Sequence, residues 1–273
     1  TPVVTGLNDT QAGGMGTAVF RGSHAAISIG STAVMISHVE RKKTDVRHAI
    51  LSMPSPVADT WFVMAENGVA GGALEHFVRE LASPGPRAAS EGGRYEAVDA
   101  MAAAVDPGSE GVLFLPWLSG SMAPSAERSM RGGFLNLGLD TRRAHMARAV
   151  LEGVALNLAW LRPAVERFVR RRFDRVLFFG GGAESVLWAQ ILADVLGAPV
   201  DQLEQPRFTA CVGAALLAFE RLGLLELGDF EERVRVKRRY EPRAEHRGLY
   251  DQRVTQFIAA HRGIRPIFRA LNG

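Results

Sequence analysis

The stretch Arg175–Gly197, RVLFFGGGAESVLWAQILADVLG, changes its period at three consecutive glycines. Before them, Arg175 to Phe179 is an apolar run of the length of a buried strand. After them, Ser185 to Leu196 places Trp188, Ile191, Leu192 and Val195 on one side of a helix, which Gly197 and Pro199 stop. A strand that ends at Gly180-Gly181-Gly182 and leads directly into a helix aims free N–H groups, and the positive end of the helix dipole, at the carboxyl edge of a sheet. That arrangement suits an anion. A plain tight turn suits the same residues, and their spacing matches neither G-x-G-x-x-G nor G-x-x-x-x-G-K-[ST], so a dinucleotide fold or a P-loop is unsupported.

On either side of this stretch the pattern repeats. Short β-like runs at Pro2 to Val4, Gly16 to Phe20, Ala25 to Ile29 and Ala33 to Ser37, separated by glycines, predict an antiparallel meander. Trp61 to Met64 predicts a strand and Val69 to Leu81 a helix. Ser83 to Arg94, SPGPRAASEGGR, has the composition of an exposed connection. A short helix near Tyr95 to Val105 and a strand at Val112 to Leu115 follow. Asp140 or Thr141 can cap a long helix with the stripe Val150, Val154, Leu158, Leu161, Val165 and Phe168, which Pro163 is expected to kink or restart. Thr209 to Leu224 predicts a further helix, and Arg233 to Gly273 an edge strand with a closing helix. Strands followed by βαβ units make an α/β layered fold.

Two further places could carry chemistry. Ser28-Ile29-Gly30-Ser31-Thr32 sets a glycine and hydroxyls at the tip between two β-like runs, where backbone N–H groups can wrap phosphate oxygens or simply turn a hairpin. Asp9, in GLNDTQAGG and expected just past a strand end, can accept a hydroxyl proton or cap the segment after it. Other residues have plainer readings. Glu66-Asn67-Gly68 reads as a turn, Trp188 as core rather than an adenine platform, and the seven histidines show no ligand spacing.

Composition narrows the classes. With 273 residues, 47% hydrophobic and 22% charged, the chain can bury a sizeable core. No apolar run approaches the roughly 18 residues of a membrane span, and the start lacks a basic region followed by an apolar one, so a cytoplasmic protein without a membrane partner is expected. The lone Cys211 cannot form an internal disulfide and reads as a buried thiol. Net charge is +3, with lysine only at positions 42, 43 and 237. The run Arg170-Arg171-Arg172 suits a helix C-terminus, and the period-two run Arg233 to Lys237 suits a guarded edge strand, so no nucleic-acid partner is expected.

Taken in order, these segments resemble the FGGY family of carbohydrate kinases, and within it the xylulokinase-like members. VVTGLNDTQAGGMG is similar to the family segment carrying its catalytic aspartate, AISIGSTA to its phosphate hairpin, and FFGGGAESVLWAQILADVLGAPV to its adenosine-side glycine motif. GGFLNLGLDTRRAHMARAVLEGVA resembles its second signature, and ACVGAALLA its late glycine-alanine helix.

The resemblance implies an actin-like, ribonuclease-H-like domain with a mixed sheet flanked by helices. Residues 1–273 would be the C-terminal, nucleotide-binding kinase domain, with the N-terminal domain, its first phosphate loop and most sugar contacts outside this chain. It also implies transfer of phosphate from ATP, with Mg2+, to a sugar or polyol hydroxyl. Asp9 would be the catalytic base and reach the metal through water. Gly30, Ser31 and Thr32 would hold the terminal phosphates, and Gly181, Gly182 and Ala183 the adenosine and α-phosphate side. Without the opposing half, turnover is expected to be weak or absent, and an unpartnered cleft surface could favour a homodimer. The alternative is a non-catalytic actin-like module that binds nucleotide or a partner. Where relatives commonly have Gly-Glu-Arg-x-Pro, this chain has Gly120-Ser121-Met122-Ala123-Pro124, and Asn136 stands for a usual glycine, where Asn best accepts positive φ.

Overall fold

The computed structural model describes residues 2–82 and 91–273, side chains at 91 and 92 aside. The proposed connection thus lies, over 83–90, outside the described residues. At the centre is an eight-stranded mixed sheet in the order β10-β9-β8-β1-β2-β5-β4-β3. Its strands are β1 (Ala25–Ile29), β2 (Thr32–Val39), β3 (Thr44–Asp45), β4 (Ile50–Pro54), β5 (Trp61–Val69), β8 (Val176–Phe179), β9 (Val200–Leu203) and β10 (Val236–Tyr240), while β6 (Leu113–Leu115) and β7 (Gly133–Leu135) form a separate pair. β1 runs antiparallel to β2, with Ile29 opposite Ala33, and parallel to β8, with Ser28 opposite Phe179. The tip between β1 and β2 and the glycines after β8 are thereby brought to one edge of the sheet.

The alternation within β1 assigns its two faces. Ala25, Ile27 and Ile29 pack into the larger core with α4 (Arg143–Val169) and α5 (Val186–Leu196), whereas Ala26 joins Ile36, Phe62, Leu177 and Phe179 on the opposite face. There α1 (Asp9–Gly16) crosses α6 (Thr209–Arg221) at very close range. A Cβ at Gly213 would stand 1.8 Å from the Ala12 carbonyl oxygen, so both helices depend on glycine at the crossing. The shorter helices are α2 (Gly71–His76), which passes into a π turn at Phe77–Leu81, α3 (Glu91–Ala103) and α7 (Phe230–Arg233). The closing helix is α8 (Arg247–Asn272).

α8 is tied to α4 by a buried polar cluster. Glu152 accepts hydrogen bonds from Arg148 Nε and the Tyr250 hydroxyl, both at 2.8 Å, and from the Gly108 N–H and Ser109 hydroxyl at 2.9 Å. At the sheet edge, Arg239 of β10 grips the buried Asp201 with two bonds, of 2.6 and 2.8 Å.

Several sequence expectations are corrected. Pro2 to Val4 and Gly16 to Phe20 are not strands, because the Asn8 side chain caps the Gln11 N–H and starts α1 where the meander was expected. Asp9 therefore opens a helix rather than following a strand. Neither Asp140 nor Thr141 caps α4, whose N-cap is Arg142, and the helix runs through Pro163. Glu66-Asn67-Gly68 lies inside β5, where Asn67 exchanges bonds with Asn157 and donates to the Ala123 carbonyl at 2.9 Å. Cys211 is exposed on α6, since its helix buries the other side against α1.

Candidate functional site

The βα unit of the quoted stretch forms with one difference. Gly180, at φ 87°, bends the chain at the end of β8, and Gly181–Glu184 make a single 3-10 turn before α5 begins after Ser185. The long helix thus starts at Ser185, which caps the Trp188 N–H at 2.9 Å, rather than at the glycines. The need for glycine differs along the run. A Cβ at Gly180 would meet the Ile29 carbonyl oxygen at 2.6 Å and one at Gly182 the Ile29 side chain, whereas one at Gly181 would meet nothing within 4 Å. Gly180 and Gly182 let the turn pack against β1, and Gly181 leaves open space.

The β1–β2 tip is a two-residue loop, Gly30-Ser31. Its carbonyls are engaged from behind: Gly71 N–H donates to Gly30 at 2.9 Å, and the Ala70 and Gly72 N–H groups to Ser31 at 3.0 Å. The tip is therefore fixed by the start of α2. A Cβ at Gly71 would lie 2.2 Å from the Gly30 oxygen, so this approach also requires glycine. Gly30 itself has open space where a side chain would stand.

Both turns open onto one groove of about 700 Å³, a size typical of small-molecule sites. Gly30 and Ser31 line one side, Gly181 and Gly182 another, and α2 and α3 close it with Leu74, Glu75, Glu96 and Asp99. Trp188 reaches its floor, yet it is core, as expected, at 1% exposure with its ring N–H bonded to the Leu151 carbonyl. Burial pushes the Asp99 carboxyl above its ordinary range, a trend opposed by its hydrogen bond with Ser185. At the rim Arg207 pairs with Glu184 at 2.6 Å.

Three predicted site residues stand apart from this lining. Thr32 begins β2, half-buried, and Ala183 is fully buried with its carbonyl accepting from Gln202 Nε2. Asp9 is exposed at the first turn of α1, where one of its oxygens accepts the Thr10 N–H at 2.8 Å. It lies one turn from Gly13, on the same helix face, and Gly13 abuts the ring of Phe179 at the end of β8. Asp9 does not line the groove, and Gln11 on the same turn donates to the Pro54 carbonyl at the end of β4 at 2.8 Å. The contributions of α2 and α3 escaped sequence reading, because polar residues on an amphipathic helix look alike whether they face solvent or a groove.

No group of three or more His, Cys, Asp or Glu side chains suited to a metal occurs among the described residues. A lone carboxylate at Asp9 still fits Mg2+, which is commonly held by one or two carboxylates plus phosphate oxygens and water. The groove likewise fits a nucleotide, because Gly30 and Gly181 present backbone to space that side chains would fill.

The Gly120 to Pro124 loop keeps a defined shape without the Glu-Arg pair. The Ser121 hydroxyl donates to the Ser125 carbonyl at 2.7 Å and lies 3.2 Å from His261 Nε2, and the Ala123 N–H bonds to Glu66. Asn136 has φ 62°, in the expected region.

The family model described as "FGGY family of carbohydrate kinases, C-terminal domain" matches residues 25–220. Among curated proteins, the chain is 26% identical over 262 residues to xylulose kinase of Staphylococcus epidermidis, covering 95% of the chain and 51% of the relative. To gluconokinase of Bacillus subtilis it is 29% identical over 232 residues, covering 84% and 45%. Among solved structures, xylulose kinase from Rhodospirillum rubrum superposes with a TM-score of 0.83 at 29% identity, over 98% of the chain and 52% of that structure. The chain spans about half the length of these relatives.

Proposed function

We propose, from the premise that this chain belongs to the FGGY family of carbohydrate kinases, that it supplies the nucleotide-binding half of an ATP-dependent sugar or polyol kinase. One observation carries this reading: two glycine-bearing turns from distant parts of the sequence, Gly30-Ser31 and Gly181-Gly182, line a single groove.

ATP with Mg2+ supplies the phosphoryl group when bound. Gly30, Ser31 and Thr32 hold the terminal phosphates through the Ser31 N–H and the two hydroxyls, the Gly30 N–H being taken by the Thr32 carbonyl at 2.9 Å. Gly181 and Gly182 form the adenosine and α-phosphate side, and Ala183, expected to share it, supports the turn from its buried side. Asp9 accepts the proton of the attacking hydroxyl and would help hold Mg2+, which would neutralise charge on the transferred phosphate. Its exposure suits this role, since the carboxylate must meet a sugar presented from outside the chain. That presentation falls to an N-terminal domain, by analogy with relatives twice as long. Phosphoryl transfer depends mainly on positioning, so the isolated half binds nucleotide and turns over weakly.

The substrate is a ketose, an aldonate or a related polyol, the range spanned by the names of the xylulose kinase and gluconokinase relatives. The test is a phosphorylation screen over pentuloses, hexuloses, aldonates and polyols with a two-domain protein containing this chain. The reading expects one class to be phosphorylated and Asp9→Asn to lower turnover at least about 10²-fold, with ATP affinity within twofold of the unaltered protein. Undiminished turnover in the variant removes Asp9 from the mechanism, and ATP binding without turnover on any sugar favours the non-catalytic module.

A further inference from the structure

A second groove, of about 810 Å³, lies between the β3–β4 hairpin, the loop after Pro124, α4 and α8. It shares no lining residue with the first. Its floor is apolar, with Trp160, Ile258 and Val254 half-buried. Its rim carries four guanidinium groups from three separate elements: Arg47 from the hairpin, Arg167 from α4, and Arg262 and Arg265 from α8. The spacing of three puts Arg262 and Arg265 on one face of α8, and Arg167 lies two turns beyond Trp160 on the same face of α4.

Carboxylates are absent from this lining. Of those nearby, Asp45 pairs at 2.7 Å with His48, which itself lines the groove, and Glu127 pairs with Arg269 at 2.5 Å. Arginines within one or two turns behave differently. Arg162 pairs with Glu166 and Arg269 with Glu127, whereas among the described residues none of the four rim side chains forms an ion pair or hydrogen bond. Like charges gathered around a concavity repel one another, and the low-dielectric walls concentrate their field inside it. His261 on the groove wall is held below its ordinary pKa first by burial, with Arg265 and Arg262 adding to the trend and Glu127 opposing it.

We propose that this groove binds a small phosphorylated organic molecule carrying two or more negative charges, at a site separate from the nucleotide groove. Guanidinium groups match phosphate oxygens bidentately, and the Trp160–Ile258 floor covers the carbon body. A volume of this size over an apolar floor fits a metabolite better than an extended surface or polymer.

Calorimetric titration with inorganic pyrophosphate tests the proposal, because it isolates the charge requirement. Three proteins are compared: the unaltered chain, Arg262→Gln/Arg265→Gln, and the charge-matched Arg233→Gln/Arg235→Gln. All four positions are exposed, so folding is expected to persist, and thermal melting verifies it. The expected result is saturable binding to the unaltered chain, at least tenfold weaker in the first variant and within twofold in the second. ATP affinity, measured in parallel, stays within twofold throughout. Absence of pyrophosphate binding overturns the proposal, as does equal loss in the charge-matched control, which would mean bulk electrostatics. A parallel loss of ATP affinity on changing Arg262 and Arg265 overturns it too, since the arginines would then serve the first groove.

Discussion

At the residue scale, the glycines divide into those that let backbones meet and those that leave room. Gly180, Gly182 and Gly71 are of the first kind, and Gly30 and Gly181 of the second. This division was half legible: the sequence shows that a triple glycine needs closeness to something, but not which residue meets β1 and which faces the groove. Cys211 was misread because thiol burial is a composition-wide tendency, while the exposure of one position depends on which side of α6 meets α1.

His261 offers a pH prediction. Burial, with Arg265 and Arg262 beside it and opposed by Glu127, lowers its pKa from 6.5 to about 4. It packs at 1% exposure against the rings of Trp117 and Trp160 and beside the Ser121 hydroxyl. A histidine whose folded pKa is depressed contributes stability that is complete above its unfolded pKa and fades as pH falls toward the folded value. Unfolding free energy is therefore expected to decline between pH 6.5 and about 4, by on the order of 2 kcal/mol from this group. His24 and His38, also lowered by burial, add to the same limb. Denaturant titrations at several pH values should show a shallower slope for His261→Gln, and an unchanged slope would refute the assignment.

At the element scale, the periodic segments were the readable ones. β8, α5 and the length of α4 follow from apolar spacing and turn residues, whereas the edge strand expected over Arg233 to Lys237 begins only at Val236, because Arg233 closes α7. The largest failure lies at the amino end, where α1 is rich in glycine and small residues and lacks an amphipathic stripe. It is helical because Asn8 caps it and because Gly13, Gly16 and Gly213 let it seat on Phe179 and α6, contacts remote in sequence. Gly213→Ala is consequently expected to destabilise the fold by about 2 kcal/mol or more, as overpacking does, read as a lowered denaturation midpoint. Glu152→Ala strands Arg148 and the Tyr250 hydroxyl in a buried setting and should cost about 3–5 kcal/mol, whereas a loss below about 1 kcal/mol would show the cluster to be solvated.

At the scale of the whole molecule, the order of the strands performs the decisive step. The antiparallel β1–β2 hairpin beside the parallel β8 brings residues 30 and 181 to one groove. Sequence order alone could suggest that convergence only through resemblance, since no local rule reports strand order. Helices α2 and α3 complete the groove, and nothing in their composition announces it. The apolar side of α6 away from the sheet, with Val212 and Phe219 about half exposed, is likewise a property of the assembled chain.

The most direct measurement is ATP binding to this chain before and after Gly181→Asp. That position has no atom within 4 Å of a new Cβ and φ outside the glycine-only region, so the carboxylate enters the groove without disturbing the fold. The account predicts saturable ATP binding that weakens at least tenfold in the variant while its melting temperature stays unchanged. Equal ATP affinity in the two proteins, or none in either, would contradict it.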